Sequence, residues 1–495
     1  ACSDFAIALG INIPTGKDSL SMKQKYPEGD VLAPGTVIIS AAGHCDAIQK
    51  TITPVITQDG GDLFYINLSK DQYSLGGSSF AQICKTVGNQ TPQVQDADYF
   101  IKAFNHIQAL IRSGVITAGH DISSGGLITA LLEGCFPSVD VGITVNLNAL
   151  KNQDIIALLF AENSAVWLQS KEDLATSFRA EGIECVKIGT PDSSKTLTLS
   201  HQNVQHALEV EKYRDLWFQT SAALDAHQTK RGYAQTRFDN YKKQPLAFQF
   251  PSQFDGKLPD LSQRSKIKAA VLREKGSNSE REMAYAMSLA GFEVTDIHMT
   301  DLIEGRTTLE PFQFIVAVGG FSNSDVLGSA KGWAGAFMYN EKAKKSLDDF
   351  FQRKDTLSLG VCNGCQLFVE LGLLTPEFKE KPKMLHNDSG KFECQFTAVH
   401  IEPSPAVMLQ GMEGSTLGIW AAHGEGKFHL PGPRAQYHIP ATYHYADYPA
   451  NPNGSDHNAA MLTSDDGRHL VMMPHLERAT FPWNWAHYPG NRQDE

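Results

Sequence analysis

Apolar positions change period several times along this chain, and each change marks an element. Residues 35–48, GTVIISAAGHCDAI, carry a β-branched apolar run between glycines, and ITPVITQDGGDLFYINL follows with a turn at Gly60 and Gly61. These features predict a sheet-rich opening. Over 78–87 and again over 99–113 the spacing turns helical, with Phe100, Ala103, Phe104, Ile107, Leu110 and Ile111 on one face. In GHDISSGGLITALLEGCF a loop of small residues feeds an apolar helix expected to start near Leu127. GITVNL and AVWLQS read as strands, and the strand–helix alternation persists to about Leu199. At the start, residues 5–9 read as the tail of a helix already under way in a chain that opens without Met, as expected of a piece of something longer.

Residues 220–265 are polar, hold three prolines and show no sustained period, so they are expected to form a domain linker, partly ordered. At Ile267 the character changes. A strand, IKAAVL, a small polar turn, REKGSNSE, and an amphipathic helix, REMAYAMSLAGF, open a doubly wound α/β domain, and FIVAVGGF and TLSLGVCNGCQLFVEL repeat strand, glycine turn and helix. The expected fold class is α/β, a first mixed α+β part followed by a doubly wound domain.

Composition narrows the function classes. A chain of 495 residues implies about three domains at roughly 150 residues each. The formal charge of -12 argues against a nucleic-acid binder, which would show a basic face, and leaves small anionic ligands to local sites. Eight cysteines without repeating spacing point to reduced thiols in a cytoplasmic protein. No apolar stretch reaches the ~18 residues of a membrane helix, and nothing at the N-terminus resembles a signal peptide.

The segment GVCNGCQLFVELGLL sets Cys362 between Gly360 and Gly364, as at a nucleophile elbow with Cys in the serine position. Glycines allow the sharp strand-to-helix turn, and the field of the following helix favours a thiolate. Cys365 lacks those flanks. The alternative is a small residue buried at a sheet end. His475 and Glu477, in LVMMPHLERATF, supply the base a thiol needs and a carboxylate to orient it. An oxyanion would be met by the amide of Asn363 and, from the GGFSNSD turn, by those of Gly320 and Phe321.

Residues 266–495 resemble a class I, triad-type glutamine amidotransferase. The motifs GGFSNSDVLG, GWA, GVCNGCQ, HGEGKF, YPANPNGS and MMPHLER carry the resemblance, and they are most similar to the glutaminase domain of the large single-chain amidotransferases of purine biosynthesis. It implies Cys362 as thioester-forming nucleophile, His475 as base then acid, Glu477 as its partner, and Gln366 and His423 as walls of the glutamine pocket. GINIPTGKDSLSM, LGGSS and GHDISSGGL resemble the second of two halves related to aminoimidazole ribonucleotide synthetase. That likeness implies Asp121 as a Mg²⁺ ligand and Ser123 as a nucleotide contact at an ATP/ADP site. Without the family, GHDISSGG reads as a helix-capping turn. Lys17 is no phosphate-loop lysine, because TGKDS lacks the first Walker glycine.

The implied layout is residues 1–56 as the C-terminal part of a synthetase-like N-subdomain, 57–219 as its C-subdomain, 220–265 as linker and 266–495 as glutaminase. The implied activity is a carbon–nitrogen ligase joining ammonia from glutamine to formylglycinamide ribonucleotide with ATP, the remaining N-terminal part of the same enzyme supplying the rest. An alternative keeps the glutaminase but pairs it with another synthetase, the front half being a structural nucleotide-binding module. One departure stands out: Leu476 replaces the usual proline of MPHPER, an expected loosening of the pair it separates.

Overall fold

A strand apolar at consecutive positions has to be covered on both faces, and DLFYIN meets that condition. It forms β1 (Asp62–Asn67), with Leu63 and Tyr65 in one buried cluster and Phe64 and Ile66 in another. Each such side chain contributes about 1.5–3 kcal/mol on burial. The computed structural model describes every residue except 1, 17–21, 34–36, 139, 153, 261–266, 493 and 495. The chain divides into two units, Ala1–Phe218 and Gln219–Glu495.

In the first unit, α1 (Ala97–Ser113) is capped by the Asp96 carboxylate, which accepts from the Tyr99 amide, and is ended by Gly114 at φ 78. There follow β2 (Ile116–Asp121), α2 (Gly126–Cys135), β3 (Gly142–Asn146), β4 (Ala165–Ser170), β5 (Val186–Asp192), β6 (Thr196–His201) and β7 (Val204–Glu209). Their sheet runs β2-β4-β1-β5-β3-β6-β7. All its pairs are antiparallel except β3 with β6. Of the face predicted for α1, Ala103 and Ile107 are buried whereas Phe104 is 47% exposed. The expected strand at 35–48 is absent from its described residues: Val37, Ile38 and Ile39 are exposed and in no ladder. Apolar, β-branched residues make a strand only where a neighbouring strand and a second layer receive them. Lys17 and most of its TGKDS segment lie outside the described residues.

Helix α3 (Val210–Asp225) leads into the segment expected as a linker. That segment contains α4 (Tyr233–Asn240) and lies in the second unit. Its polar side chains and backbone are hydrogen-bonded. The Lys230 amide donates to Ser389 O at 2.8 Å and Asn240 Nδ2 to Tyr448 O at 2.7 Å, while Gln249 pairs with Thr416 in a β-bridge. Polarity that reads as solvation in the sequence is consumed here by neighbours far along the chain.

The doubly wound sheet of this unit begins with β8 (Lys268–Arg273), α5 (Glu280–Leu289) and β9 (Glu293–His298), followed by β10 (Phe314–Ala317), β11 (Leu357–Val361) and α6 (Asn363–Glu370). A small second sheet comprises β12 (Glu393–Ile401), β13 (Thr416–His423) and β14 (Ala441–Tyr443), before β15 (Met461–Thr463) and β16 (His469–Met472) return to the first. The main order is β9-β8-β10-β11-β16-β15, parallel except for the β15 edge. At the carboxyl ends of adjacent strands β10, β11 and β16 stand the GGF turn, Cys362 and His475. Open parallel sheets bind ligands at that kind of place.

Candidate active site

Cys362 follows β11 at φ 50 and ψ −104, a conformation that L-residues rarely adopt. The two flanking glycines make it feasible. A Cβ on Gly360 would lie 2.6 Å from Gly364 O, and one on Gly364 would lie 1.9 Å from Ala317 O. The turn lifts the sulfur to the start of α6, where its Sγ lies 3.7 Å from Ala422 O. Cys365, in the first turn of α6, is fully buried in the core, its thiol pushed well up by burial and by the nearby Cys362 sulfur.

His475 leaves β16 with its amide donating to Trp420 O at 2.7 Å. Its Nδ1 lies 2.6 Å from Glu477 Oε1, and the two side chains are 1% and 0% exposed. Its Nε2 has no hydrogen-bond partner among the described residues, and the Cys362 sulfur is close enough to act on the charge of the ring. A Cβ on Gly319 would touch both, at 2.8 Å from His475 Cε1 and 3.4 Å from Cys362 Cβ. Burial alone would lower the imidazole pKa, but the Cys362 sulfur and the Glu477 carboxylate outweigh it and push it up to about 10. The arrangement favours the imidazolium, held between the Cys362 sulfur and the Glu477 carboxylate. Leu476 does not open it: the residue starts a 3₁₀ turn, Leu476–Arg478, and packs its side chain against the core.

Of the three expected oxyanion donors, two are free of the contact that removes the third. The Phe321 amide donates to Gly276 O at 2.8 Å, in the bridge that joins Ser277 to Gly320, so Phe321 is corrected out of the set. The Gly320 amide takes no part in that bridge, and the Asn363 amide heads α6. The Asn363 side chain ties the parts together, its Oδ1 accepting from the Ser322 amide and its Nδ2 donating to Gln366 Oε1.

Gln366 and His423 line the same cavity of about 600 Å³ as Cys362 and His475. Gln366 Nε2 donates to Glu425 O at 2.8 Å. His423 Nε2 accepts from Asn453 Nδ2 at 3.0 Å, an orientation fixed because Asn453 Oδ1 accepts from both the amide and the hydroxyl of Ser455. The His423 proton therefore sits on Nδ1, which has no partner among the described residues. Burial first, and the neighbouring His475 second, push the His423 pKa down to about 3, so the ring is neutral. Sequence reasoning missed Asn453, although YPANPNGS holds it. It also missed Lys230, Asp325 and Glu425, which put charge of both signs on the cavity wall. Asp325 and Glu425 stand in the GGFSNSDVLG and HGEGKF motifs, whereas nothing in the local sequence of Lys230 announces its placement.

Asp121 and Ser123 belong to the first unit. Asp121 ends β2 with its side chain 72% exposed and Oδ1 3.2 Å from His120 Nδ1. Ser123 is exposed in the turn before α2, its carbonyl accepting from the Gly126 amide. The Gly125 amide there is occupied: Glu162 Oε1 accepts from it and from the Ser79 amide, both at 2.8 Å. Among the described residues no group of three potential metal-ligating side chains forms. A larger cavity of about 780 Å³ also lies in this unit, but its Asp71 carboxylate is used by Ser74 and Gln93, and its Lys70 by Asp96.

The site thus sets an elbow cysteine and a buried histidine–glutamate pair at the carboxyl end of a parallel sheet, an arrangement suited to a thiol nucleophile with its base. Residues 266–495 match the family model of the CobB/CobQ-like glutamine amidotransferase domain, and residues 61–202 that of the AIR synthase related protein, C-terminal domain. The chain thus carries an AIR synthase related domain followed by a glutamine amidotransferase domain. Along almost its whole length it is homologous with phosphoribosylformylglycinamidine synthases. The probable enzyme of Arabidopsis thaliana is 40% identical, covering 99% of this chain and 36% of the relative, and that of Homo sapiens is 38% identical, covering 97% and 39%. The chain therefore spans well under half the length of these relatives. Among solved structures, PurLQS from Thermotoga maritima matches at 27% identity and a TM-score of 0.38, covering 44% of this chain and 92% of that one. No helix among the described residues is long and apolar enough to cross a membrane.

Proposed function

We propose that the second unit hydrolyses glutamine through a thioester on Cys362. The observation that carries this is the convergence of Cys362 and the His475–Glu477 pair on one cavity wall beside Gly319. The Cys362 thiolate attacks the carboxamide carbon, and the amides of Gly320 and Asn363 receive the developing oxyanion. His475, held by Glu477, donates a proton to the departing ammonia. With the imidazole now neutral, it takes a proton from water, which attacks the thioester and releases glutamate and the thiol. Gln366 and His423 wall the pocket.

The larger reading rests on the relatives. The chain would be part of a phosphoribosylformylglycinamidine synthase, a ligase in which ammonia, formylglycinamide ribonucleotide and ATP give the amidine in purine biosynthesis. Other parts of the same protein would complete the synthetase. Similarity over 97–99% of this chain, front half included, supports this reading over a glutaminase serving another synthetase. In the first unit Asp121 would supply one oxygen to Mg²⁺ and Ser123 a contact to ATP or ADP. The described residues do not build a complete magnesium site. Eight free cysteines support a reducing compartment, which we take to be the cytoplasm.

The test is mass spectrometry of the protein after incubation with a diazoketone analogue of glutamine. One adduct, lost in Cys362→Ala and kept in Cys365→Ala, is expected. An adduct that persists in Cys362→Ala refutes the assignment of the nucleophile.

A further inference from the structure

The segment read from sequence as a linker holds a partly buried cation whose partners lead to the cavity wall. Arg237, in α4, is 23% exposed and pairs with Glu393 at 2.8 Å and with Asp225 at 3.2 Å. It also donates to the Tyr448 hydroxyl, which donates to the other oxygen of Glu393 at 3.0 Å. Glu393 is the first residue of β12, 2% exposed, and stands directly opposite His423 in the β12–β13 ladder. Just before it, Lys391 and Phe392 line the cavity that contains Cys362. Lys391 is ion-paired with Asp225, and the Phe392 ring lies 6.0 Å from that of Phe321, in the turn that carries the Gly320 amide.

Two carboxylates converge here on one guanidinium. A buried carboxylate stripped of its cation is strongly unfavourable, so the start of β12 is held where Arg237 is. From that point the chain reaches the pocket in a single residue, and the aromatic contact passes the constraint to the oxyanion turn.

We propose that Arg237 is a positioning residue of the glutaminase site: by anchoring Glu393 it sets the wall formed by Lys391 and Phe392 and braces Phe321 behind the oxyanion donors. Arg237 touches neither the substrate nor Cys362. It acts on how glutamine is seated and not on the reactivity of the thiol. The proposal rests on the glutaminase reading given above.

The test compares two reagents on the full chain and on Arg237→Met, following the Cys362 peptide by mass spectrometry. Iodoacetamide needs only an accessible thiolate, whereas the diazoketone analogue of glutamine needs the seated pocket. In Arg237→Met, labelling by the analogue should slow by about 10- to 100-fold, the size expected when a reacting group is misplaced by about 1 Å. Labelling by iodoacetamide should stay within about twofold, and Arg237→Lys should fall between. Equal labelling of native and variant by both reagents overturns the proposal, as does a parallel loss with both in a protein that melts like the native one. If Arg237→Met does not fold, Arg237→Lys decides, a selective slowing with the analogue supporting the proposal and none overturning it. A native chain that reacts with iodoacetamide at Cys362 but not with the analogue fells the glutaminase reading itself, and the proposal with it.

Discussion

Replacing Glu477 by Gln preserves shape and removes one charge from a pair that is shielded from solvent. The carboxylate sits 2.6 Å from His475 Nδ1, with both side chains essentially inaccessible. Breaking a buried, charge-assisted contact of this kind costs about 3 kcal/mol or more, which at 1.36 kcal/mol per decade is roughly a 150-fold loss in kcat/KM for glutamine. The pH dependence gives a second readout. In the folded chain the Cys362 sulfur first, and the Glu477 carboxylate second, push the His475 pKa up to about 10, against about 6.5 unfolded. A raised folded value contributes stability that is fully present below about pH 6.5 and lost as pH rises through about 10. The melting-temperature gap between native and Glu477→Gln should therefore be wide near pH 6 and close above pH 10. The basic limb of kcat/KM should also move to lower pH in the variant. Steady-state ammonia release from pH 6 to 10.5, with thermal melts at each pH, measures all three. A kcat/KM within threefold of native with an unmoved basic limb refutes the assignment of Glu477 as the partner of His475.

Gly364→Ala should destabilise the second unit by at least about 1–3 kcal/mol, the usual effect of overpacking, because its Cβ would fall 1.9 Å from Ala317 O; denaturant melts test this. Leu476→Pro should leave glutamine turnover within about twofold, because position 476 opens a short turn where proline is tolerated, while the lost packing of the Leu476 side chain costs about 1 kcal/mol of stability; a large loss of turnover contradicts that. In the native chain iodoacetamide should label Cys362 and spare the fully buried Cys365, and peptide mapping decides. Asp121→Asn should leave glutamine hydrolysis unchanged and weaken magnesium-dependent ADP retention, measured by chromatography of the released nucleotide; unaltered retention removes Asp121 from the nucleotide site.

The elements legible in the sequence were those whose signal is local. DLFYIN, GITVNL, AVWLQS and IKAAVL announced strands by composition, and the glycines around Cys362 announced the elbow, because both stand within two residues of the cysteine. The misreadings have non-local causes. The 37–39 run looks like a strand but has no ladder, since pairing depends on another segment. Residues 220–265 look like a tether because their polar partners, Ser389, Glu393, Thr416 and Tyr448, lie more than 150 positions away. The Phe321 amide looked free until Gly276 O came to meet it. His423 was placed by resemblance, yet its tautomer depends on Asn453, 30 residues later.

The hydrogen bonds of Lys230, Asn240 and Gln249 bear on how the gene should be dissected. An excised glutaminase begun at residue 266, where sequence similarity to the domain family starts, would discard every one of them along with a residue of the cavity wall. The severed ends of Ser389, Thr416 and Tyr448 would then face water in place of their partners. A cut near residue 219 follows the physical boundary. For this chain, the unit that natural sequences share and the unit that can be expected to keep its pocket shut are different lengths of polypeptide.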